Sequence, residues 1–335
     1  MSTESTEKQT VEASSCCMPQ AERTAHEAAL SAAPAVTKPR QTRPRSGMKR
    51  LGGGAFLMGA EKGIYEEDGE APIREVTLDP FHIDIIAVTN KHFAKFVKET
   101  GYVTEAERFG WSFVFFMFLP EAERKKNRKA PQGTPWWRAV PGANWRRPEG
   151  KESSINHRMD HPVVHVSWND AMAYCEWAGV RLPTEAEYEY AARGGLEQTL
   201  FPWGNELTPG GEHRMNIWQG RFPDLNTAED GYIGPAPARS FQPNGFGLYN
   251  MTGNVWEWCA DWFSPDFHVN GPRTNPQGPP EGTARVLKGG SYLCHDSYCH
   301  RYRLSARSSN TPDSSTGNMG FRCAADAENG GCCGG

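Results

Sequence analysis

Between Gly194 and Asp326 the chain shows no sustained apolar period, and this limits its fold more than any other feature. About 130 residues there consist of short apolar bursts set among Gly, Pro and Asn. Loops of that extent inside a compact domain are functional, or they are tied down by metals or disulfides. An ordinary α/β enzyme has no place for them. The 35 Gly, 25 Pro and 11 Trp agree, because turns and flat indoles then set the shape in place of long helices. The reading is an α+β fold class: one compact domain with little regular secondary structure.

Around that stretch the sequence divides plainly. Residues 1–47 are Ser, Thr, Ala, Glu, Lys and Pro without apolar periodicity, which predicts a disordered tail with at most a helical trace over Glu22–Ser31. Residues 327–335 form a second flexible tail rich in Gly and Cys, leaving 48–326 as the globule. A formal net charge of -4 gives no electrostatic footprint for nucleic acid or an anionic membrane. No apolar run reaches the ~18–20 residues of a spanning helix. The polar N-terminus, without a basic region and an apolar core, predicts no signal peptide and a cytoplasmic protein.

Phe56–Gly59, Arg74–Pro80 and Phe81–Ile86 read as short strands broken by Gly and Pro. A helix is expected over Asn90–Thr100, with Phe93, Phe96 and Val97 on its inner face and Gly101 as its stop. A second is expected from Trp168 to Gly179, burying Ala171, Tyr174, Cys175 and Ala178. The third runs from Thr184 to Arg193, opened by the Thr184–Glu187 capping box and closed by Gly194-Gly195.

Three groups can carry chemistry. Cys294 and Cys299 share one short polar and aromatic segment, where a structural disulfide, a two-coordinate soft-metal site and a thiol redox couple all fit. Zinc would want a second such pair, and the globule has none. His161 and His165 have metal-pair spacing, but Val163, Val164 and Val166 make a buried strand with a hydrogen-bonded core histidine the better reading. A facial iron site would need an acid, and position 167 is Ser. From Asn244 to Trp258, Gly245, Gly247 and Gly253 permit tight turns that aim carbonyls inward. Asn250 and Glu257 add side-chain oxygens of the kind calcium takes, although a plain turn with a solvated Glu fits equally. Trp256 and Trp258 are also compatible with simple core packing. The tails carry Cys16-Cys17 and Cys332-Cys333, adjacent pairs that cannot easily close on themselves. They read as exposed thiols, with a redox or metal-delivery role as the alternative.

Taken in order, Asp68–Pro72, Val163–Ala171, Arg181–Glu187, Phe201–Asn205, Asn244–Asn250, Gly253–Trp258 and Gly289–Ser291 resemble the sulfatase-modifying factor family. The run from Ser291 through Cys299 and Arg307–Ser315 to Gly320–Cys323 is similar to the formylglycine-generating members of that family. The resemblance covers about residues 48–326. It implies a C-type-lectin-like core with long calcium-stabilised loops. It also implies an activity: oxidising the cysteine of a CxPxR segment in an unfolded sulfatase to Cα-formylglycine, with O2 and a thiol reductant as co-substrates, in a monomer. Loss of a Cβ hydrogen would give a thioaldehyde, which hydrolyses to the aldehyde.

Carried over by position, Cys294 and Cys299 match the two thiolates that hold Cu(I), a pairing that softness favours. Ser291 matches the active-site serine and Trp256 an indole beside the metal, while Tyr298 and Asn318 line the same pocket. Asn250, Gly253, Val255 and Glu257 match one calcium cage; Asn216, Ile217, Asp230 and Tyr232 match a second. In each cage two ligands act through backbone oxygen. Vertebrate members carry two core disulfides; Cys175 and Cys323 match one, but Ala192 and Leu304 stand where the other would be, consistent with a reducing compartment. Cys259 reads as a packed thiol. Trp111 replaces an acid near the substrate arginine, so Trp111 and Phe113 are expected to form an apolar shelf that takes the guanidinium by cation–π contact. Two other readings remain: an iron-dependent C–S bond-forming oxygenase, which lacks its metal ligands here, and a lectin-like binding module, which has no need of the Cys294/Cys299 pair.

Overall fold

Helix formation follows the capping chemistry closely. In the computed structural model, which describes residues 18–20, 45–126 and 130–327, helices span Asn90–Thr100, Trp168–Ala178 and Glu185–Arg193. Thr89 caps the first by accepting from His92 N, and capping boxes Ser167/Asp170 and Thr184/Glu187 open the other two. Gly101, Gly179 and Gly194 end them in the left-handed conformation that favours glycine. The inner faces are those expected, with Phe93, Phe96, Val97, Ala171, Tyr174, Cys175 and Ala178 all buried. Three short helices, Glu105–Phe109, Glu121–Lys126 and Phe267–Asn270, were not expected, although the capping box Thr104-x-x-Glu107 of the first is visible in the sequence. Among the described residues no helix is long and apolar enough to cross a membrane.

The strands are short and their sheets small. Met48–Leu51 and Ala324–Asp326 both pair antiparallel with Phe81–Asp84, so the two ends of the globule meet in one sheet. A second sheet orders Ser308–Asn310, Arg285–Lys288, Trp256–Trp262 and Met319–Gly320, the last pair being parallel. Hairpins of Gly54–Met58 with Arg74–Leu78 and of Trp111–Phe115 with Trp137–Pro141 complete the main scaffold. Elsewhere the chain from residue 194 onward is largely loop, as expected for this α+β class.

Two expectations need correction. The segment carrying Val163, Val164 and Val166 is buried but is not a strand. It makes only an isolated bridge from Pro162 to Thr89, and His165 sits at φ 59°, which breaks any extended run. The tail expected over 1–47 does not hold throughout either. Met18 is fully buried in the main apolar cluster, Pro19 is buried, and Arg45–Gly47 is a 3-10 turn. Apolar contact explains the exception, since Met and Pro can be buried at no charge cost. Residues 1–17, 21–44 and 328–335, including the Glu22–Ser31 trace and both tail cysteine pairs, lie outside the described residues.

Buried ion pairs join the loops to this scaffold. Arg301 pairs with Asp68, Arg303 with Glu70, Arg307 with Glu185 and Arg322 with Glu257, all eight side chains being almost entirely shielded. Glu189 is shared by Arg193 and Lys288 at 2.7 and 3.0 Å. Cys175 and Cys323 place their sulfurs 3.9 Å apart within the core. Cys259 is fully buried and burial pushes its thiol well up, as a packed thiol requires. Ala192 and Leu304 pack in the same apolar cluster as Cys259.

The Glu189 pair sets a pH dependence. Burial opposes its charge, but Lys288 and Arg193 outweigh burial and hold its carboxyl down to about 2 from the ordinary 4.5. A carboxyl depressed in the folded state contributes stability that is complete above 4.5 and is lost as pH falls toward 2. Urea midpoints measured across that range should fall in the native protein and fall less steeply in Glu189→Gln. At neutral pH the substitution should cost about 3–5 kcal/mol, because Lys288 and Arg193 keep buried charges without a partner.

Candidate active site

Two glycines open the site. Gly289 and Gly290, at φ 94° and 75°, turn the chain out of the Arg285–Lys288 strand. A Cβ on Gly290 would lie 2.9 Å from Tyr302 Cα and 3.0 Å from Arg301 O, so only glycine lets these backbones approach. The turn delivers Ser291, whose carbonyl accepts from Cys294 N at 2.9 Å and whose own N–H points to Cys294 Sγ at 3.3 Å. A second turn, Cys299 N to His295 O at 2.7 Å, folds the loop back. The two turns bring Cys294 Sγ and Cys299 Sγ to 3.3 Å, both fully buried.

Polar partners converge on this pair. Ser291 Oγ lies 3.9 Å from Cys294 Sγ and accepts from Asn318 Nδ2 at 3.0 Å. Thr316 Oγ1 donates to Asn318 Oδ1 at 2.5 Å, fixing the amide's orientation. Trp256 N donates to Asn318 O at 2.8 Å, and its indole is fully buried in the cluster that contains both cysteines. Burial, then Asp296 and the two cysteines, push the Tyr302 phenol upward, so it stays a neutral O–H beside the sulfurs. A cavity of about 290 Å³ borders the same loop, lined by His295, Asp296, Tyr302, Trp218 and Met215.

An aromatic wall leads away from the cysteines. Tyr298 stacks on Phe222 at 3.9 Å and meets Trp136 edge-on, and its O–H donates to Leu293 O. Phe113 and half-buried Trp111 touch edge-to-face at 4.9 Å and belong to the apolar cluster that holds Trp136, Phe222 and Tyr292. The two rings expected to form a shelf share their cluster with Tyr292-Leu293, next to Cys294 in the chain, but Phe113 is buried and only Trp111 of the two reaches solvent. Reading the sequence alone missed Trp136, Phe222, Thr316 and Tyr302. It also missed the His165–Ser112 contact of 2.8 Å, which ties the Trp111–Phe115 strand to the Thr316 loop through His165 N and Thr316 O. Trp136 and Phe222 sit far from the cysteines in sequence, and no local pattern marks them.

The residues matched to calcium cages form two touching loops. Asn254 N donates to Asn216 O at 2.8 Å, and a Cβ on Gly253 would lie 2.5 Å from that same oxygen. Asn216 Oδ1 and Asn250 Oδ1 are buried oxygens without a hydrogen-bond partner, and a hard cation would satisfy such acceptors. Asn250 holds a left-handed φ of 48°. Asp230 accepts from Ile217 N, Gln219 Nε2 and Tyr232 N, while burial pushes its carboxyl up. Val255 is buried just before Trp256. Glu257 is placed differently from a solvated or purely ion-directed carboxylate, since both its oxygens accept from Arg322 at 2.5 and 2.8 Å. Among the described residues no three His, Cys, Asp or Glu side chains converge on a metal position. A cage here would therefore rest mainly on amide and backbone oxygens, with at most a single carboxylate such as Asp230.

This arrangement can be set beside known proteins. The model of the sulfatase-modifying factor enzyme 1-like domain matches residues 33–327. The formylglycine-generating enzyme of Streptomyces coelicolor is 61% identical over 304 residues, covering 90% of this chain and 96% of that protein. Its counterpart in Thermomonospora curvata is also 61% identical, over 84% of this chain and 93% of its own length. Among solved structures, PvdO from Pseudomonas aeruginosa shares the fold with a TM-score of 0.62 at 24% identity, over 87% of this chain and all of PvdO. The chain belongs to the sulfatase-modifying factor family, alongside the formylglycine-generating enzymes.

Proposed function

We propose that this chain oxidises the cysteine of a CxPxR segment in an unfolded sulfatase to Cα-formylglycine, using Cu(I), O2 and a thiol reductant. The observation that carries the reading is the Cys294–Cys299 pair at 3.3 Å, buried beside Ser291 and Asn318. Two sulfurs on one short loop fit a soft, low-coordinate ion. When bound there, Cu(I) supplies the one-electron chemistry with O2 that side chains lack. Overall, one substrate thiol, O2 and two reductant thiols give the aldehyde, H2S, water and a disulfide.

The chain's own groups perform the rest. Ser291 Oγ, oriented by the Asn318 amide, is placed to hydrogen-bond the incoming thiol and hold its proton near the sulfur pair. Trp256 and Tyr302 wall the site and keep water from it. Tyr298 with Phe222 and Trp136 forms a flat surface for the substrate's proline, and Trp111 with Phe113 takes the stem and guanidinium of its arginine. Calcium at the Asn216/Asp230 and Asn250/Gly253 loops would hold them in shape, supported by the two orphaned amide oxygens. Apolar Ala192 and Leu304, packed where a second cysteine pair would stand, favour a reducing, cytoplasmic setting.

Three measurements test this. A CxPxR peptide incubated with copper-loaded protein, O2 and a thiol should exchange sulfur for oxygen by mass and react with a hydrazide; Cys294→Ser and Cys299→Ser should each lose turnover yet keep the native melting curve. Product from either variant would remove the copper assignment. Chelation of calcium should lower Tm, since a ligand held only by the folded state stabilises it by about 2.7 kcal/mol at 100 times its Kd. An unchanged Tm would remove the cages. Trp111→Ala should raise KM for CxPxR about two- to thirty-fold, the range of a cation–π contact, with weak salt dependence. A silent substitution would place the arginine elsewhere.

A further inference from the structure

His165 belongs to neither the sulfur pair nor the aromatic wall, yet its backbone carries a cost. It is fully buried and holds φ 59°, a left-handed conformation uncommon outside glycine. Its N–H donates to Thr316 O at 2.9 Å, and its ring Nδ1 lies 2.8 Å from Ser112 Oγ. The Ser112 hydroxyl gives its one proton to Ser315 O at 2.9 Å, so it accepts from His165 Nδ1–H. Burial pushes the imidazole down to about 3, so at neutral pH it is an uncharged donor.

These contacts grip the loop of residues 315–318. Gly317 N donates to Phe113 O at 3.1 Å, and a Cβ on Gly317 would lie 3.3 Å from His165 Nε2, so the loop packs closely on the ring. The same loop presents Thr316 Oγ1 to Asn318 Oδ1 at 2.5 Å, and Asn318 Nδ2 to Ser291 Oγ at 3.0 Å. The direction of the Asn318 amide therefore depends on where Thr316 is held against the Trp111–Phe115 strand. His165 spans that gap, bonded to the strand by its ring and to the loop by its backbone.

We propose that His165 is a positioning residue for the reaction: bonded to Ser112, its imidazole fixes the Thr316 loop against the strand that carries Trp111, and so aims the Asn318 amide at Ser291 Oγ. The proposal rests on the function proposed above, in which Ser291 meets the substrate thiol. A catalytic group displaced by about 1 Å can cost about a hundredfold in rate. The imidazole bonds to Ser112 and moves no proton of the substrate, so its donor, and not its basicity, is what the site uses. Asparagine supplies such a donor through Nδ2 and accepts a left-handed φ, whereas glycine keeps the backbone conformation and loses the donor.

The full-length protein labelled with 15N-asparagine, without copper, reads the aim of Asn318 directly. Its side-chain amide signals, identified by their loss in Asn318→Asp, should shift in Ser291→Ala, shift also in His165→Gly and Ser112→Ala, and return toward the native position in His165→Asn. With copper, His165→Gly and Ser112→Ala should lower kcat about ten- to a hundredfold with KM for CxPxR within about twofold. His165→Asn should regain most of that rate and keep the native pH profile, which a proton-transferring histidine would not allow. Unmoved Asn318 signals in His165→Gly, or a native kcat in that variant, overturn the positioning role while the reaction stands. If the signals move as expected but the native protein makes no aldehyde, the positioning of Asn318 stands and the reaction falls.

Discussion

Four buried arginines on the C-terminal loops hold this structure together. Arg301, Arg303, Arg307 and Arg322 reach back to Asp68, Glu70, Glu185 and Glu257, so the C-terminal loops are pinned to the Asp68–Glu70 turn, to the Glu185–Arg193 helix and to the central sheet. Taking such charges from water is expensive, and an ion pair alone is weak evidence of stability. Their value here lies in what else they satisfy. Arg307 also donates to Asp68 O, Gly69 O and Ser264 O, and Arg322 to Asp84 O, Tyr249 O and Asn250 O. Buried loops carry carbonyls that no ladder can pair, and a forked guanidinium serves several at once. Lysine, with its compact ammonium, could not span them.

The electrostatics of these pairs are consistent with that role. Burial pushes the Glu70 and Glu185 carboxyls upward, yet Arg303 and Arg307 outweigh burial and keep both below the usual range. Glu257 is the exception: burial dominates Arg322 and its carboxyl stays raised. It is also the one of these acids beside a loop with an orphaned amide oxygen, Asn250 Oδ1.

The sequence was most legible where local chemistry decides structure. Apolar spacing, one capping box and glycine stops located three helices nearly to the residue, and Cys294 and Cys299, close in sequence, do meet in space. Legibility failed where partners are distant along the chain. His165 was expected inside a strand, because three valines flank it, but its backbone is bent to meet Ser112 and the Thr316 loop. Asp68 and Glu70 stand in a Gly- and Pro-containing segment, and nothing near them announces Arg301 or Arg303 more than 200 positions later. Trp136 and Phe222 show no period at all and become a wall only once their loops are folded against Tyr298.

A loop-built scaffold suits the chemistry for a geometric reason. The proposed function asks the sulfur pair for a serine, an orienting amide, an indole and a nearby aromatic shelf, and the candidates for these come from residues 111–113, 136, 222, 256, 291–299 and 316–318. Regular helices and strands present side chains at fixed intervals along an axis, whereas the directions required here are set independently by turns such as Gly289-Gly290. Freedom of direction brings freedom to move, and a site that must exclude water cannot tolerate it. The arginine pairs remove that freedom from outside the site, without contributing an atom to it. The residues that fix the loops are therefore separate from those the proposed chemistry would use, which is why the proposed loss of turnover in Cys294 or Cys299 variants need not disturb the surrounding loops.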